Sequence, residues 1–360
     1  MSTIDNILKE FITTGKFEGS PKSILGNTFT NETILITGAA GSIGSEITRL
    51  LSTYNYKKLI LLDIAESALY ELQQELISKS QSNFEIVICD IRNADRLENI
   101  FTVYKPTIVL HIAAYKHVPL MESNPYEAIT VNILGTCNVS KLSIKYAVNK
   151  FVFISSDKAV NPTSIMGATK RIAELYINYL SKFKTQFSQF ITIRFGNVLG
   201  SSGSVVPLFK KQIENGGPIT LTHEAIDRYF LPLSEACQLI LETTILGSNN
   251  QVFIFDMGVP LKIIDLAKKM IELSGLKYPE DIDIQIVGIR PGEKLNEDLF
   301  FESEIPEPTN NQKVKLLKTE KIISQSIESE IISLCNITPN TTKEELILKI
   351  TKLVPEYLAN

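Results

Sequence analysis

Residues 32–51 read ETILITGAAGSIGSEITRLL. The apolar run from Thr33 to Ile36 has the character of a buried strand, Thr37-Gly38-x-x-Gly41-x-x-Gly44 follows it directly, and a stretch with helical spacing follows the glycines. Glycines at these places permit a tight turn and let the backbone approach a pyrophosphate at a helix N-terminus, where unpaired amides and the helix dipole favour anions. A second apolar run, LILLD, ends in Asp63, nineteen residues past Gly44, where an acid is placed to hold an adenosine ribose. No Arg follows Asp63 directly, and its carboxylate would repel a 2′-phosphate, so the expected cofactor is NAD and not NADP. Thr37, Gly38, Gly41, Ser42, Ile43, Gly44 and Asp63 form the first part of the expected cofactor-binding set.

Further along, apolar strand patterns alternate with helical ones. Strands are expected near 33–37, 58–63, 84–89, 107–111, 150–155 and 190–195, the order of an α/β protein with a doubly wound parallel sheet. Beyond Gly200 the pattern loosens into what reads as a smaller, loop-rich lobe lying over the carboxyl ends of the strands, where open α/β sheets bind ligands. A strand-like QVFIFDMG and a helix from Leu261 follow, and TTKEELILKITKLVPEYL reads as a packed terminal helix.

Composition excludes several classes. A net charge of −4 with no basic tract argues against nucleic acid as a partner, and any charged ligand must be held by a few placed residues. Cys89, Cys137, Cys237 and Cys335 lack CxxC spacing, so they are expected as reduced thiols of a cytoplasmic protein, with no metal site. The first twenty residues carry acids and no long apolar core, and no stretch of the chain has the length and apolarity of a membrane span, so no membrane association is expected.

Seven stretches, in order, resemble one family: ILITGAAGSIGSE (34–46), LHIAAYKHVPLMESNPYEAITVNILGT (110–136), FISSDKAVNPTSIMGATKR (153–171), IRFGNVLGSSGSVVPLF (193–209), DRYF (227–230), FDMGVPLKIIDLAKKMIELSG (255–275) and GIRPGEKLNEDL (288–299). They resemble the extended short-chain dehydrogenase/reductases, and within them the capsule and polysaccharide-biosynthesis dehydratases that act on UDP-N-acetylglucosamine. The resemblance covers roughly residues 30 to 300. Many such proteins carry this part behind a transmembrane domain, so the resemblance is to the soluble, short form. Where the family has Pro and Met before Thr-Arg-Tyr-Phe, this chain has THEAIDRYF, which keeps Arg228 but places Asp227 beside it.

The resemblance implies an organisation: an N-terminal extension (1–30), an NAD-binding Rossmann domain (31–200, with 229–256 returning to it), a smaller α/β nucleotide-sugar lobe (201–228 and 257–310) and a helical tail (311–360). It also implies a reaction: oxidation at carbon 4 of the hexose, loss of water across carbons 5 and 6, and hydride return to carbon 6. Such enzymes place a Tyr four residues before a Lys on a helix, but here Met166 holds that place before Lys170. A thioether cannot move a proton near neutral pH. Met166 therefore reads as an apolar wall, and the substitution resembles the branch that retains configuration at carbon 5, whose product has the xylo configuration.

Asp157 is expected as the acid at the 6-hydroxyl. Lys158 is expected as the base at carbon 5, provided that burial and Lys170 lower its pKa, since an ordinary Lys is protonated at neutral pH. Ser156 is assigned to the sugar 4-oxygen, and Lys170 to the nicotinamide ribose and to easing proton loss from the 4-hydroxyl. Asp90 and Ile91 would flank adenine, Ala113 would line the cofactor site, and Asn132 would order the central helix. Lys116, His117, Asn197, Val205, Arg228, Arg290 and Glu293 form the expected substrate set, with Arg forks suited to phosphates and a carboxylate to ribose hydroxyls. A nucleotide-sugar epimerase, a dehydratase that inverts carbon 5, and a non-catalytic sensor of NAD or nucleotide-sugar remain as alternatives. A homo-oligomer paired through the helices after Asn124 and after Ser164 is also expected.

Overall fold

The computed structural model describes residues 25–184, 187–319, 324 and 326–358. Residues 1–24 of the expected N-terminal extension lie outside them. Six parallel strands carry the apolar runs of the first half: β1 (Thr33–Thr37), β2 (Lys58–Asp63), β3 (Phe84–Ile88), β4 (Ile108–His111), β5 (Lys150–Ile154) and β6 (Gln189–Arg194). Their spatial order is β3-β2-β1-β4-β5-β6, with parallel registers throughout, so the order reverses between β1 and β4. A crevice at that reversal, outside the carboxyl ends of the strands, is the ligand site of such sheets.

Ile34, Leu35 and Ile36 are fully covered because β1 is sandwiched between two helical layers. One layer holds the helices Ala94–Tyr104, Thr136–Lys145 and Ile165–Phe183, and the other holds Ser42–Leu51, Glu66–Ser78 and Leu233–Leu246. Leu25 and Phe29, which precede β1, are buried in the second layer, so the segment entering the sheet is already part of its core. A third apolar cluster builds the small lobe from the helices Val205–Glu214 and Ile263–Leu273 and the parallel pair Ile219–Leu221 with Ile284–Ile286.

Beyond the strand-like segment at 251–255, the sheet runs further than the sequence implied. Gln251–Phe255 pairs parallel with β6, Val314–Thr319 pairs antiparallel with Gln251–Phe255, and Glu304–Pro308 forms the outer edge. Residues expected in the nucleotide-sugar lobe (304–308) and in the helical tail (314–319) are therefore strands of the main sheet. A buried ion cluster accompanies this edge. Arg194, 1% exposed, donates to both Glu174 oxygens at 2.7 Å and to Glu304 at 2.7 Å. Arg171 also donates to Glu174 at 2.9 Å, and the Ser155 hydroxyl donates to it at 2.6 Å. Glu304 thus brings the charge that a buried Arg194 requires, and the hairpin seals the pair from water.

The helix Ile165–Phe183 begins at Ser164, whose hydroxyl accepts from Gly167 N at 3.1 Å. It is buried on nearly every side because the terminal helices Ile327–Cys335 and Lys343–Leu353 lie across it. Thr342 and Glu345 form a reciprocal capping box that starts the last helix where the amphipathic pattern begins. The chain's own C-terminal helices pack against Pro125–Ile129 and Ile165–Phe183, the helices expected to pair with a second copy. Among the described residues no helix is long and apolar enough to cross a membrane.

Candidate active site

The glycine loop meets the requirement of a pyrophosphate cradle. Gly38 has φ +71°, and a Cβ there would lie 2.7 Å from Ala113 N. At Gly44 a Cβ would lie 2.1 Å from Gly38 O, so any side chain would force the loop away from the helix it opens. The helix Ser42–Leu51 has Gly41 at its N-cap with no side chain bonded to the first-turn amides, which leaves those amides facing the cleft. Asp63 lies beside this loop, with Oδ2 accepting from Ala40 N at 2.9 Å and Oδ1 from Ala65 N at 3.0 Å. These residues fit a dinucleotide.

The cleft that they open into has a volume of about 690 Å³ and runs from Asp63, Asp90 and Ile91 past Ala113 to Met166 and Lys170. Gly38, Gly41, Ser42, Ile43, Lys116, His117, Ser156, Lys158, Asn197 and Val205 also line it. Two expected cofactor residues sit behind the wall and act on its shape. Gly44 is the packing contact already described. Thr37 is fully buried, and its hydroxyl bonds His111 Nδ1 at 2.8 Å and accepts from Ile112 N and Ala113 N at 3.2 and 3.3 Å. Burial first, and the Lys170 charge second, push the His111 pKa down to about 3, so its ring is a neutral tie between β1 and β4. Asp90 is gripped by Arg92 at 2.7 Å, with Arg92 in turn on Glu127 at 2.8 Å, so its carboxylate fixes the cleft edge.

A π-helical turn, Thr130–Gly135, presents Asn132 inward. Its amide accepts from Tyr115 N at 2.8 Å, donates to Tyr115 O at 3.0 Å and donates to Thr169 Oγ1 at 3.0 Å. Asn132 thereby anchors the loop that carries Lys116 and His117 to the helix that carries Lys170. Burial lowers the pKa of both loop residues, with Lys116 lowering His117 further. The His117 ring packs on Gly203, at φ +69°, where a Cβ would lie 2.5 Å from Cε1.

At the end of β5 stands the proton chemistry. Lys170 is 6% exposed, donates to Ile154 O at 2.6 Å and lies 4.1 Å from the Phe153 ring centre. Burial, partly opposed by Glu174, pushes its pKa down to about 7. Met166, one turn earlier, is 3% exposed and supplies an apolar wall. Asp157 is 1% exposed and lies behind Ser156, whose hydroxyl donates to Asp157 Oδ1 at 2.8 Å. Asp157 Oδ2 has no hydrogen-bond partner and faces Gly196.

Lys158 departs from expectation. Its ammonium contacts Asp157 Oδ1 at 3.0 Å, Glu297 Oε1 at 3.3 Å and Asn197 Oδ1 at 3.4 Å. Desolvation alone would lower its pKa, but the two carboxylates more than offset that and hold it above the ordinary lysine value. The lowering that a carbon-5 base needs is therefore not met by burial and Lys170, and Lys158 stands as an ammonium.

A smaller pocket of about 150 Å³ adjoins the cleft across Lys158 and Asn197 and is lined by Arg228, Arg290, Glu293 and Glu297. Arg228 is not an open phosphate fork. It is 7% exposed and donates to the carbonyls of Asp227, Lys294 and Leu295 at 2.6, 2.8 and 2.9 Å, because the turn after Glu293 folds over it. Glu293 closes that turn by accepting from Arg290 N at 3.3 Å and from Thr222 Oγ1 at 3.1 Å. Sequence reasoning missed Glu297. It lies within GEKLNEDL, but an acid in an aperiodic loop carries no sign of burial, and only the fold places it on Lys158.

The model of the family described as polysaccharide biosynthesis protein matches residues 34–319. The chain belongs to that family. Its frame is that of an extended short-chain dehydrogenase/reductase. A capsular polysaccharide biosynthesis protein of Staphylococcus aureus is 48% identical over 90% of this chain, which spans about half (54%) of that protein's length. A UDP-N-acetylglucosamine 4,6-dehydratase (inverting) of Campylobacter jejuni is 34% identical, over 75% of this chain and 77% of that protein. A UDP-glucose 4-epimerase of Rickettsia typhi is 33% identical over 75% of this chain and 78% of its own. The crystal structure of Pen from Bacillus thuringiensis superposes with a TM-score of 0.75 at 33% identity, covering 83% of this chain and 90% of that one.

Proposed function

We propose that the chain is a UDP-N-acetylglucosamine 4,6-dehydratase that keeps NAD bound through its cycle and retains configuration at carbon 5. The observation that carries this reading is the linked set Ser156, Asp157 and Lys158 at the end of β5, with Lys170 and an apolar Met166 lining the same cleft. Gly38, Gly41, Ser42 and Ile43 would hold the pyrophosphate, Asp63 the adenosine ribose, Asp90 and Ile91 the adenine edge, and Lys170 the nicotinamide ribose. Held there, NAD would supply the hydride chemistry that links carbon 4 to carbon 6.

The residues of this chain account for the protons. Lys170, with its pKa near neutrality, takes the 4-hydroxyl proton in place of the missing phenol. The resulting ketone acidifies carbon 5, and Lys158 removes that proton once it has itself become an amine. Asp157 takes the proton that Lys158 gives up and passes it through the Ser156 hydroxyl to the departing 6-hydroxyl, which leaves as water. One proton leaves oxygen 4 and one joins oxygen 6, so the cycle closes without net proton release. Arg290 and Glu293 at the smaller pocket, with Asn197, Lys116, His117 and Val205, would hold the uridine diphosphate and sugar.

Elimination is favoured over epimerisation because an epimerase has no use for an acid and a base at carbons 5 and 6. The test is Asp157→Asn with UDP-N-acetylglucosamine in deuterated water, followed by NMR and by the absorbance of reduced nicotinamide. The variant should accumulate reduced nicotinamide and lose water about a hundred- to ten-thousand-fold more slowly. A parent protein that yields only the carbon-4 epimer, or a variant that dehydrates at the parent rate, refutes the reading.

A further inference from the structure

Two stretches of chain that lie far apart in sequence are stitched together beside the cleft. One is the segment 157–164, which carries Asp157 and Lys158 and ends at the N-cap of the helix Ile165–Phe183. The other is the turn 290–298, whose Arg290 and Glu293 line the smaller pocket. Thr163 Oγ1 donates to Gly292 O at 3.1 Å, and Gly292, at φ +76°, sits so close that a Cβ there would lie 2.8 Å from Ser164 Cβ. Lys294 reaches the middle of the same segment and donates to Val160 O at 3.0 Å. Asp298 Oδ2 accepts from Lys294 at 3.4 Å and from Asn161 Nδ2 at 3.4 Å, which closes the seam.

Both sides of this seam are held firmly. The Lys294 side chain is 14% exposed, and its backbone is pinned because Arg228 donates to the carbonyls of Lys294 and Leu295 at 2.8 and 2.9 Å. Val160 is fully buried. At Gly167 a Cβ would lie 2.2 Å from Lys158 O, so the segment is pressed against the helix that carries Met166 and Lys170. A shift of the turn is therefore carried into the segment that holds Asp157 and Lys158, because close-packed parts transmit displacement. An ammonium on the carbonyl of a buried residue is a firm tether, since breaking it leaves polar groups unmet. Neither Lys294 nor Thr163 takes part in the proton route.

We propose that Lys294 and Thr163 form a clasp through which the nucleotide-facing turn sets the position of Asp157 and Lys158, so that both are positioning residues for the elimination. The inference rests on the dehydratase reading. A nucleotide seated on Arg290 and Glu293 fixes the turn, and the clasp carries that fixed position to the groups that act at carbons 5 and 6. Binding energy from a part of the substrate that does not react is thereby turned into alignment of the part that does. Lys170 stands on the helix, outside the clasped segment, and bonds Ile154 O on β5, so oxidation at carbon 4 does not depend on the clasp. Lys294 also lines the smaller pocket, where a direct contact to phosphate is the rival role. The two roles make opposite demands. Losing a phosphate contact weakens binding, whereas losing the clasp leaves binding in place and slows the step that it aligns.

The experiment compares the NAD-bound parent enzyme with Lys294→Met, Lys294→Arg and Thr163→Val. It measures reduced-nicotinamide formation and carbon-5 deuterium incorporation with UDP-N-acetylglucosamine, and the affinity for UDP by calorimetry. Lys294→Met should bind UDP and form reduced nicotinamide as the parent does, yet exchange carbon 5 about a hundredfold more slowly, the effect of a displacement of about 1 Å at reacting groups. Reduced nicotinamide should therefore accumulate. Thr163→Val should show the same split to a smaller degree, because a neutral hydrogen bond is weaker than a charged one. Lys294→Arg keeps a charged donor and should recover part of the exchange rate. A fall in UDP affinity in Lys294→Met that matches the lost rate overturns the clasp and makes Lys294 a phosphate contact. Exchange at the parent rate in Lys294→Met also overturns it. So does a joint fall of oxidation and exchange in Lys294→Met with no recovery in Lys294→Arg, which marks a purely structural role. A parent enzyme that forms no dehydrated product fails the dehydratase reading, and the clasp falls with it, whereas each adverse variant result fails the clasp alone.

Discussion

Lys170→Met tests whether the buried lysine is held near neutrality by its surroundings. From the ordinary value of 10.5 its pKa is pushed down to about 7, chiefly by burial. A gap of about 3.5 pH units corresponds to about 5 kcal/mol at 1.36 kcal/mol per unit. The folded pKa is depressed, so between about pH 7 and 10.5 the unfolded chain binds more protons than the folded one, and stability rises with pH. The destabilisation is full below the folded value and fades as pH climbs towards the unfolded one. Met fills a similar space beside Phe153 and does not titrate, but it gives up the bond to Ile154 O, a loss of about 1 kcal/mol at every pH. The stability of Lys170→Met relative to the parent should therefore be highest at about pH 6 and fall by about 3 kcal/mol by about pH 9.5. Urea midpoints of the nucleotide-free proteins measure this directly. A difference that stays constant over the range would show that Lys170 titrates as an ordinary lysine, and its assignment to the 4-hydroxyl would lose its basis. In the loaded enzyme the same substitution should abolish reduced-nicotinamide formation, which in the parent should rise to half its maximum near pH 7.

Gly44→Ala sets a methyl 2.1 Å from Gly38 O, so the purified variant should contain little or no nucleotide, and a full complement by extraction would refute the cradle. Glu174→Gln leaves Arg194 short of charge in a buried cluster and should cost about 3–5 kcal/mol in urea denaturation. A change below about 1 kcal/mol, the level of an exposed pair, would mean that Glu304 alone suffices for Arg194.

The strand, glycine turn and helix at 32–51, the acid at Asp63 and the six parallel strands were legible in sequence, because local periodicity and the steric demands of a tight turn act over a few residues. The Met166 and Lys170 pair was legible for the same reason, since one helical turn fixes their relation. Tertiary structure decided the rest. Residues 304–319 became sheet through pairing with Gln251–Phe255, which also brings Glu304 onto Arg194 of the distant β6. The helix Ile165–Phe183 packs against the helices of the chain's own tail, and apolar periodicity is the same whether a copy or the tail provides the cover. Arg228 turned from a phosphate fork into a clamp, and Lys158 from a lowered base into a doubly held ammonium, because the turn after Glu293 folded onto both. A side chain's charge is written in the sequence, but its pKa belongs to the groups that folding brings within a few ångströms.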